Sequence, residues 1–219
     1  MSKHLFLFGG SPPFTIKIAK QFVKLASKVD APVSILLVER KGWEEYMPKY
    51  TRLLEELGLN KFTFLPLPST PIEQVIYSIK NSSGLIIGGG NTNLYADYIV
   101  DTEISKSIME SYESGIPVAG FSAGALICPT WCIISPKDSV NCEFQQRKGL
   151  GLIPNVLIAV HFSQWNDEDH LRYAISKFKN HLNFGIDEET GIYFLNGIVE
   201  ASEGYGVYTI ENENLIRVR

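Results

Sequence analysis

With 219 residues, 45% of them hydrophobic, the chain is long enough to close one large core, and a single α/β domain over residues 1–219 is expected. A formal charge of −4, with lysines and arginines scattered rather than striped, offers no field for a nucleic-acid backbone, so no nucleic-acid partner is expected. The start MSKHLFLFGGSPP has only a four-residue apolar run before two glycines, and no segment nears the roughly 18 apolar residues of a membrane span. A soluble, cytoplasmic protein with no membrane partner is therefore expected.

In chain order, HLFLFGG at 4–10 predicts a strand broken by glycines, and TIKIAKQFVKLASK at 15–28 has helical spacing through Ile16, Ala19, Phe22, Val23 and Ala26. VSILLVER at 33–40 is too short an apolar run for a helix and predicts a strand buried on both faces. WEEYMPKYTRLLEELGL is helical but interrupted near Pro48, with Gly58 as its stop. After the strand KFTFLPL, the helix TPIEQVIYSIKNSS is expected to start from Thr70 as N-cap and Pro71 as first helical residue. GLIIGGGNT predicts another buried strand ending in glycines, followed by a helix from about Leu94 to Ser114 and the strand IPVAGF.

VLIAVHF at 156–162 reads as a strand and DEDHLRYAISKFKNH at 167–181 as a helix, with Asp167, Glu168 and Asp169 in its first turn. The remainder, to Arg219, is a string of short strands that suits an antiparallel edge on a mainly parallel sheet. The alternation of strand and helix points to a three-layer α/β sandwich. Cys128, Cys132 and Cys142 match no redox or zinc spacing and read as core thiols.

Within this frame GFSAG at 120–124 fits G-x-S-x-G, the strand-to-helix elbow that exposes a nucleophilic serine. Glycines two residues to either side of Ser122 are needed where the chain passes close to itself. A serine hydroxyl requires a base, an orienting acid and donors for the oxyanion. Of the four histidines, His161 closes a buried strand, where parallel-sheet proteins place site residues, and is the candidate base. Asp138 and Glu143 are the candidate acids in the connection between Ser122 and His161. The separation of 39 positions from Ser122 to His161 (161 − 122 = 39) is too short for the intervening strands and cap of an α/β-hydrolase, so a different sheet carrying the same chemistry is expected. The backbone amides of GGGNT at 88–92 and of Ala123 are the candidate oxyanion donors.

GGGNT, GFSAGA at 120–125, CPT at 128–130, PNVLIAVHF at 154–162 and GIDEETG at 185–191 resemble, in order, motif blocks of the serine peptidase family that contains aspartyl dipeptidase E and cyanophycinase. The resemblance implies a class I glutamine-amidotransferase-like fold and no metal or organic cofactor. It implies Ser122 as nucleophile, His161 as base, and Gly88, Gly89 and Ala123 as oxyanion donors. Asp138 matches the acid in preference to Glu143 when one residue is inserted near Trp131. Asn91, Thr92 and Arg172 are taken as substrate contacts. The segment SQWNDEDHLRY departs from the arginines that family members cutting aspartyl bonds tend to carry, so the resemblance stops short of an aspartyl specificity. The function expected is a serine exopeptidase, a dipeptidase acting on small peptides, with a homodimer allowed. An esterase or amidase, or a catalytically silent binding module, is the alternative.

Overall fold

Alternate residues of the first strand, β1 (His4–Phe8), face opposite cores: Leu5 and Leu7 join one apolar cluster, Phe6 and Phe8 another. The same division recurs along β2 (Val33–Val38) and β4 (Gly84–Ile87), which explains why these segments read as continuous apolar runs. The computed structural model describes residues 1–139 and 141–218; Val140 and Arg219, the last residue of the expected C-terminal strands, lie outside the described residues. With β3 (Phe62–Leu67), β5 (Val118–Phe121), β10 (Gly191–Leu195) and β11 (Ile198–Glu203), these strands form a seven-stranded sheet in the order β11-β10-β1-β5-β4-β2-β3. Strands β1 to β5 run parallel, and β10 and β11 add the expected antiparallel edge.

Helices cover both faces. On one lie α1 (Ile16–Ala26) and, after the single turn α2 (Trp43–Tyr46), α3 (Pro48–Glu56). On the other lie α4 (Ile72–Lys80), α5 (Thr92–Tyr95) with its π-helical continuation Ala96–Val100, α6 (Ile104–Glu113) and α7 (Ala123–Leu126). This is the expected three-layer α/β sandwich.

Two local expectations are corrected. Thr70 is not an N-cap, because its hydroxyl donates back to Pro66 O at 2.7 Å and the helix starts at Ile72 behind Pro71. The helix expected from Leu94 to Ser114 is broken, because the Thr102 hydroxyl bonds Tyr98 O (3.0 Å) and accepts the Ile104 N–H (3.3 Å), ending one helical segment and starting the next.

The C-terminal part holds a second sheet that sequence patterning did not separate from the first. The strand β8 (Val156–Val160) pairs in parallel with β9 (Leu182–Ile186), and β12 (Val207–Glu211) and β13 (Asn214–Arg217) complete a four-stranded sheet in the order β13-β12-β9-β8. A small hairpin, β6 (Trp131–Ile134) with β7 (Gln145–Lys148), fills the connection between Ser122 and His161. On β8, Val156, Ile158 and Val160 face the main core, while Leu157 and Ala159 pack under α8 (Glu168–Lys177). Of the cysteines, Cys128 and Cys132 are buried, and burial pushes the Cys132 thiol up to about 12. Cys142 is exposed, against its reading as a core thiol. No helix of the described residues is long and apolar enough to cross a membrane.

One core residue of α8 makes the fold acid-sensitive. His170 is 6% exposed beside the Phe144 ring, its Nδ1 has no hydrogen-bond partner among the described residues, and burial pushes its pKa down to about 4. The fold therefore favours the neutral imidazole. That contribution is complete above the ordinary value of 6.5 and is lost as pH falls from there toward 4, on the order of 3 kcal/mol in all. Urea midpoints measured between pH 7 and pH 5 should fall in the native chain and fall less in His170→Leu; equal slopes would remove His170 from the account.

Candidate active site

The carboxyl ends of β1, β4 and β5 meet at one edge of the central sheet, where open α/β sheets bind their ligands. Ser122 stands between β5 and α7 with φ 49° and ψ −110°, a backbone that a non-glycine residue holds at a cost of about 1–3 kcal/mol. Its N–H donates to Phe8 O at 3.0 Å, and its carbonyl accepts from Ala125 and Leu126 at 2.9 Å each. The flanking glycines have a steric reason: a Cβ at Gly120 would lie 2.5 Å from Gly124 O, and one at Gly124 would press on Ile87 O.

His161 follows β8 with φ 50°, and its N–H donates to Gly9 O at 2.7 Å. Thus the last residue of β1, Phe8, and Gly9 just after it accept from the backbones of Ser122 and His161 and set their separation. Gly9 admits no side chain, since a Cβ there would run into the carbonyls of Ile186 and Asp187. The His161 ring places Nε2 2.9 Å from Ser122 Oγ and Nδ1 2.7 Å from Glu188 Oε1, and it stacks on Trp165 with centroids 4.4 Å apart. A carboxylate can only accept, so this pairing puts the imidazole proton on Nδ1 and leaves Nε2 to accept from the serine hydroxyl.

Glu188 lies just past β9, the neighbour of β8, so the parallel pairing delivers a carboxylate beside the imidazole. Its N–H donates to Gln164 Oε1 at 3.0 Å, and the adjacent Asp187 accepts the Ser163 N–H at 2.9 Å, tying both strand ends together. The Glu188 side chain is 48% exposed and that of His161 12%, so the pair contributes orientation more than stability.

The carboxylate on the imidazole is thus neither of the two expected. Asp138 instead accepts the Thr92 hydroxyl at 2.6 Å, which ties the turn after β6 to the start of α5. Burial pushes its carboxyl above the usual range, opposed by the Thr92 hydroxyl and the nearby charge of His161. Glu143 is exposed and makes no hydrogen bond to His161. Among the expected oxyanion donors, the Gly88 N–H is taken by Leu36 O at 2.9 Å, extending the strand pairing of β4 with β2. The Gly89 N–H is taken by Tyr50 Oη at 3.0 Å. The Ala123 N–H donates to no acceptor among the described residues.

The three expected substrate contacts are engaged within the protein. Asn91 Oδ1 caps α5 by accepting the Leu94 N–H at 3.1 Å, and Thr92 is bonded to Asp138. Arg172 holds Glu168 Oε1 at 2.6 and 2.8 Å and Glu213 O at 2.9 Å. The residues missed by sequence reasoning are Glu188, Trp165, Gly9 and Tyr50. Glu188 had a signal, as the first glutamate after a strand that runs beside the one ending in His161, in the block GIDEETG.

With Oγ within proton-transfer reach of Nε2, the arrangement can activate a serine alcohol for attack on a carbonyl. The sequence model of peptidase family S51 matches residues 17–219. A cyanophycinase from Trichormus variabilis is 30% identical over 153 residues, covering 67% of this chain and 51% of that protein. A Peptidase E from Salmonella arizonae is 32% identical over 129 residues, 58% of this chain and 53% of that protein. The chain spans about half the length of the curated relatives it matches. Among solved structures, a peptidase from an acI-B1 Actinobacterium aligns with TM-score 0.75 at 19% identity, covering 100% of this chain and 94% of that one. A putative Peptidase E from Listeria monocytogenes aligns with TM-score 0.65 at 19% identity, covering 94% of this chain and 100% of that one.

Proposed function

The chain belongs to peptidase family S51, and on that premise we propose that it is a serine peptidase hydrolysing small peptides, dipeptides first among them. The observation that supports this is the unbroken line of hydrogen bonds Ser122–His161–Glu188. In the proposed reaction Ser122 Oγ attacks the peptide carbonyl while His161 Nε2 takes its proton, and Glu188 steadies the imidazolium. The Ala123 N–H, at the start of α7, donates to the oxyanion. As the C–N bond breaks, Nε2 returns the proton to the leaving amine. Water then adds to the acyl-enzyme by the same proton transfers, releasing the acid and restoring the Ser122 hydroxyl.

The engagement of Arg172 with Glu168 and Glu213 argues against its pairing with a substrate carboxylate, so a strict aspartyl preference is not part of the proposal. A panel of dipeptides assayed for released amino acids, beside small aryl esters, tests the reading. Dipeptide cleavage by the native chain and none by Ser122→Ala is expected. Turnover of esters alone would replace peptidase by esterase, and no turnover of either would leave a binding module.

A further inference from the structure

The glycine turn over Ser122 is held from beneath by two buried phenols. Tyr50, on α3, is 2% exposed and accepts the Gly89 N–H at 3.0 Å. Tyr95, on α5, is fully buried, donates to Gly89 O at 3.2 Å, and accepts the Val38 N–H at 3.2 Å. Both polar atoms of Gly89 are therefore consumed. The hydroxyls also fill the space a side chain would need at position 88, where a Cβ would lie 2.9 Å from Tyr95 Oη and 3.0 Å from Tyr50 Oη.

Peptide planarity turns these bonds into an aim. Across a trans peptide the C=O of one residue and the N–H of the next point in opposite directions. The Gly89 N–H reaches Tyr50, and the Gly88 carbonyl, on the other side of that peptide, accepts the Gly124 N–H of the elbow at 3.1 Å. In the next peptide the Gly89 carbonyl is drawn to Tyr95, which directs the Gly90 N–H away from the buried phenols. That amide donates to no acceptor among the described residues, and Gly90 is exposed, with φ 154°. Gly89 sits against the nucleophile, since a Cβ there would lie 3.3 Å from Ser122 Cβ.

We propose that Tyr50 and Tyr95 are positioning residues that lock the Gly89 peptides so that the Gly90 amide, together with that of Ala123, is held for the oxyanion formed at Ser122. The assignment moves the donor role from Gly88 and Gly89, whose protons are already committed, to Gly90. It rests on the serine-peptidase reading. Burial raises both phenols above their ordinary value, so each keeps its proton at any assay pH and the clamp is not pH-gated.

The test uses the full chain labelled with ¹⁵N-glycine, with Tyr50→Phe and Tyr95→Phe beside it. Each variant removes one hydroxyl and keeps the ring. Loss of a whole oxyanion donor costs about 10²–10³-fold in kcat, so loss of its positioning is expected to cost about 10- to 100-fold with KM within about twofold. In the same Tyr50→Phe protein the Gly89 amide should exchange with solvent at least about tenfold faster than in the native chain. A kcat within twofold of native in either folded variant, or unchanged Gly89 exchange, overturns the proposal. A Gly89 amide already unprotected in the native protein does so too, whether or not the variants fold. A native chain that cleaves no peptide while Gly89 is protected refutes the peptidase reading separately from the clamp.

Discussion

Replacing Ser122 with Ala is expected to lower kcat on a cleaved dipeptide by about 10⁶-fold, the loss seen when a serine nucleophile is removed from a working triad. The fold should be retained, because among the described residues the Ser122 side chain bonds only His161, and the backbone bonds to Phe8, Ala125 and Leu126 do not involve it. Ser122→Gly sharpens the result. With φ at 49°, glycine relieves strain that serine bears, and that variant should be equally inactive yet more stable than the native chain by about 1 kcal/mol. Activity and stability thus move in opposite directions at one position, the pattern of a residue strained for function. Turnover by Ser122→Ala within tenfold of native would mean another nucleophile.

The second large effect distinguishes the three carboxylates. Glu188→Gln leaves a neutral amide beside His161 Nδ1 that neither fixes the tautomer nor stabilises the imidazolium, and kcat should fall by about 10⁴-fold. Glu143→Gln, at an exposed side chain with no hydrogen bond to the imidazole, should stay within about twofold of native. Asp138→Asn keeps an acceptor for the Thr92 hydroxyl but removes a charge that His161 feels. A loss of about 10- to 100-fold, well short of that for Glu188→Gln, is expected. Steady-state kinetics of the three variants on one dipeptide decides the order. A larger loss for Asp138→Asn than for Glu188→Gln would contradict the hydrogen-bond pattern.

The central sheet was legible because its strands are buried on both faces, and the runs LFLF, VSILLV and GLII carry that burial without ambiguity. The elbow was legible for a steric reason, as Gly120 and Gly124 are imposed by backbone contacts that no other residue permits. The second sheet was not, because β8 and β9 look in sequence like further members of the first; only their parallel pairing separates them. That pairing is also what brings Glu188 to His161, so a carboxylate was sought within the connection containing Asp138 when the one bonded to the imidazole lies 27 residues beyond the histidine (188 − 161 = 27). Tyr50 was hidden for another reason. In an amphipathic helix a tyrosine at a core position gives no sign that its hydroxyl meets a glycine 39 residues away.

The most direct measurement is the site of phosphonylation. Intact-protein and peptide mass spectrometry after reaction with a fluorophosphonate should find one adduct, on Ser122, in the native chain, and none at that position in His161→Ala. An adduct on a different residue, or undiminished labelling of Ser122 without the imidazole, would contradict a serine activated by His161.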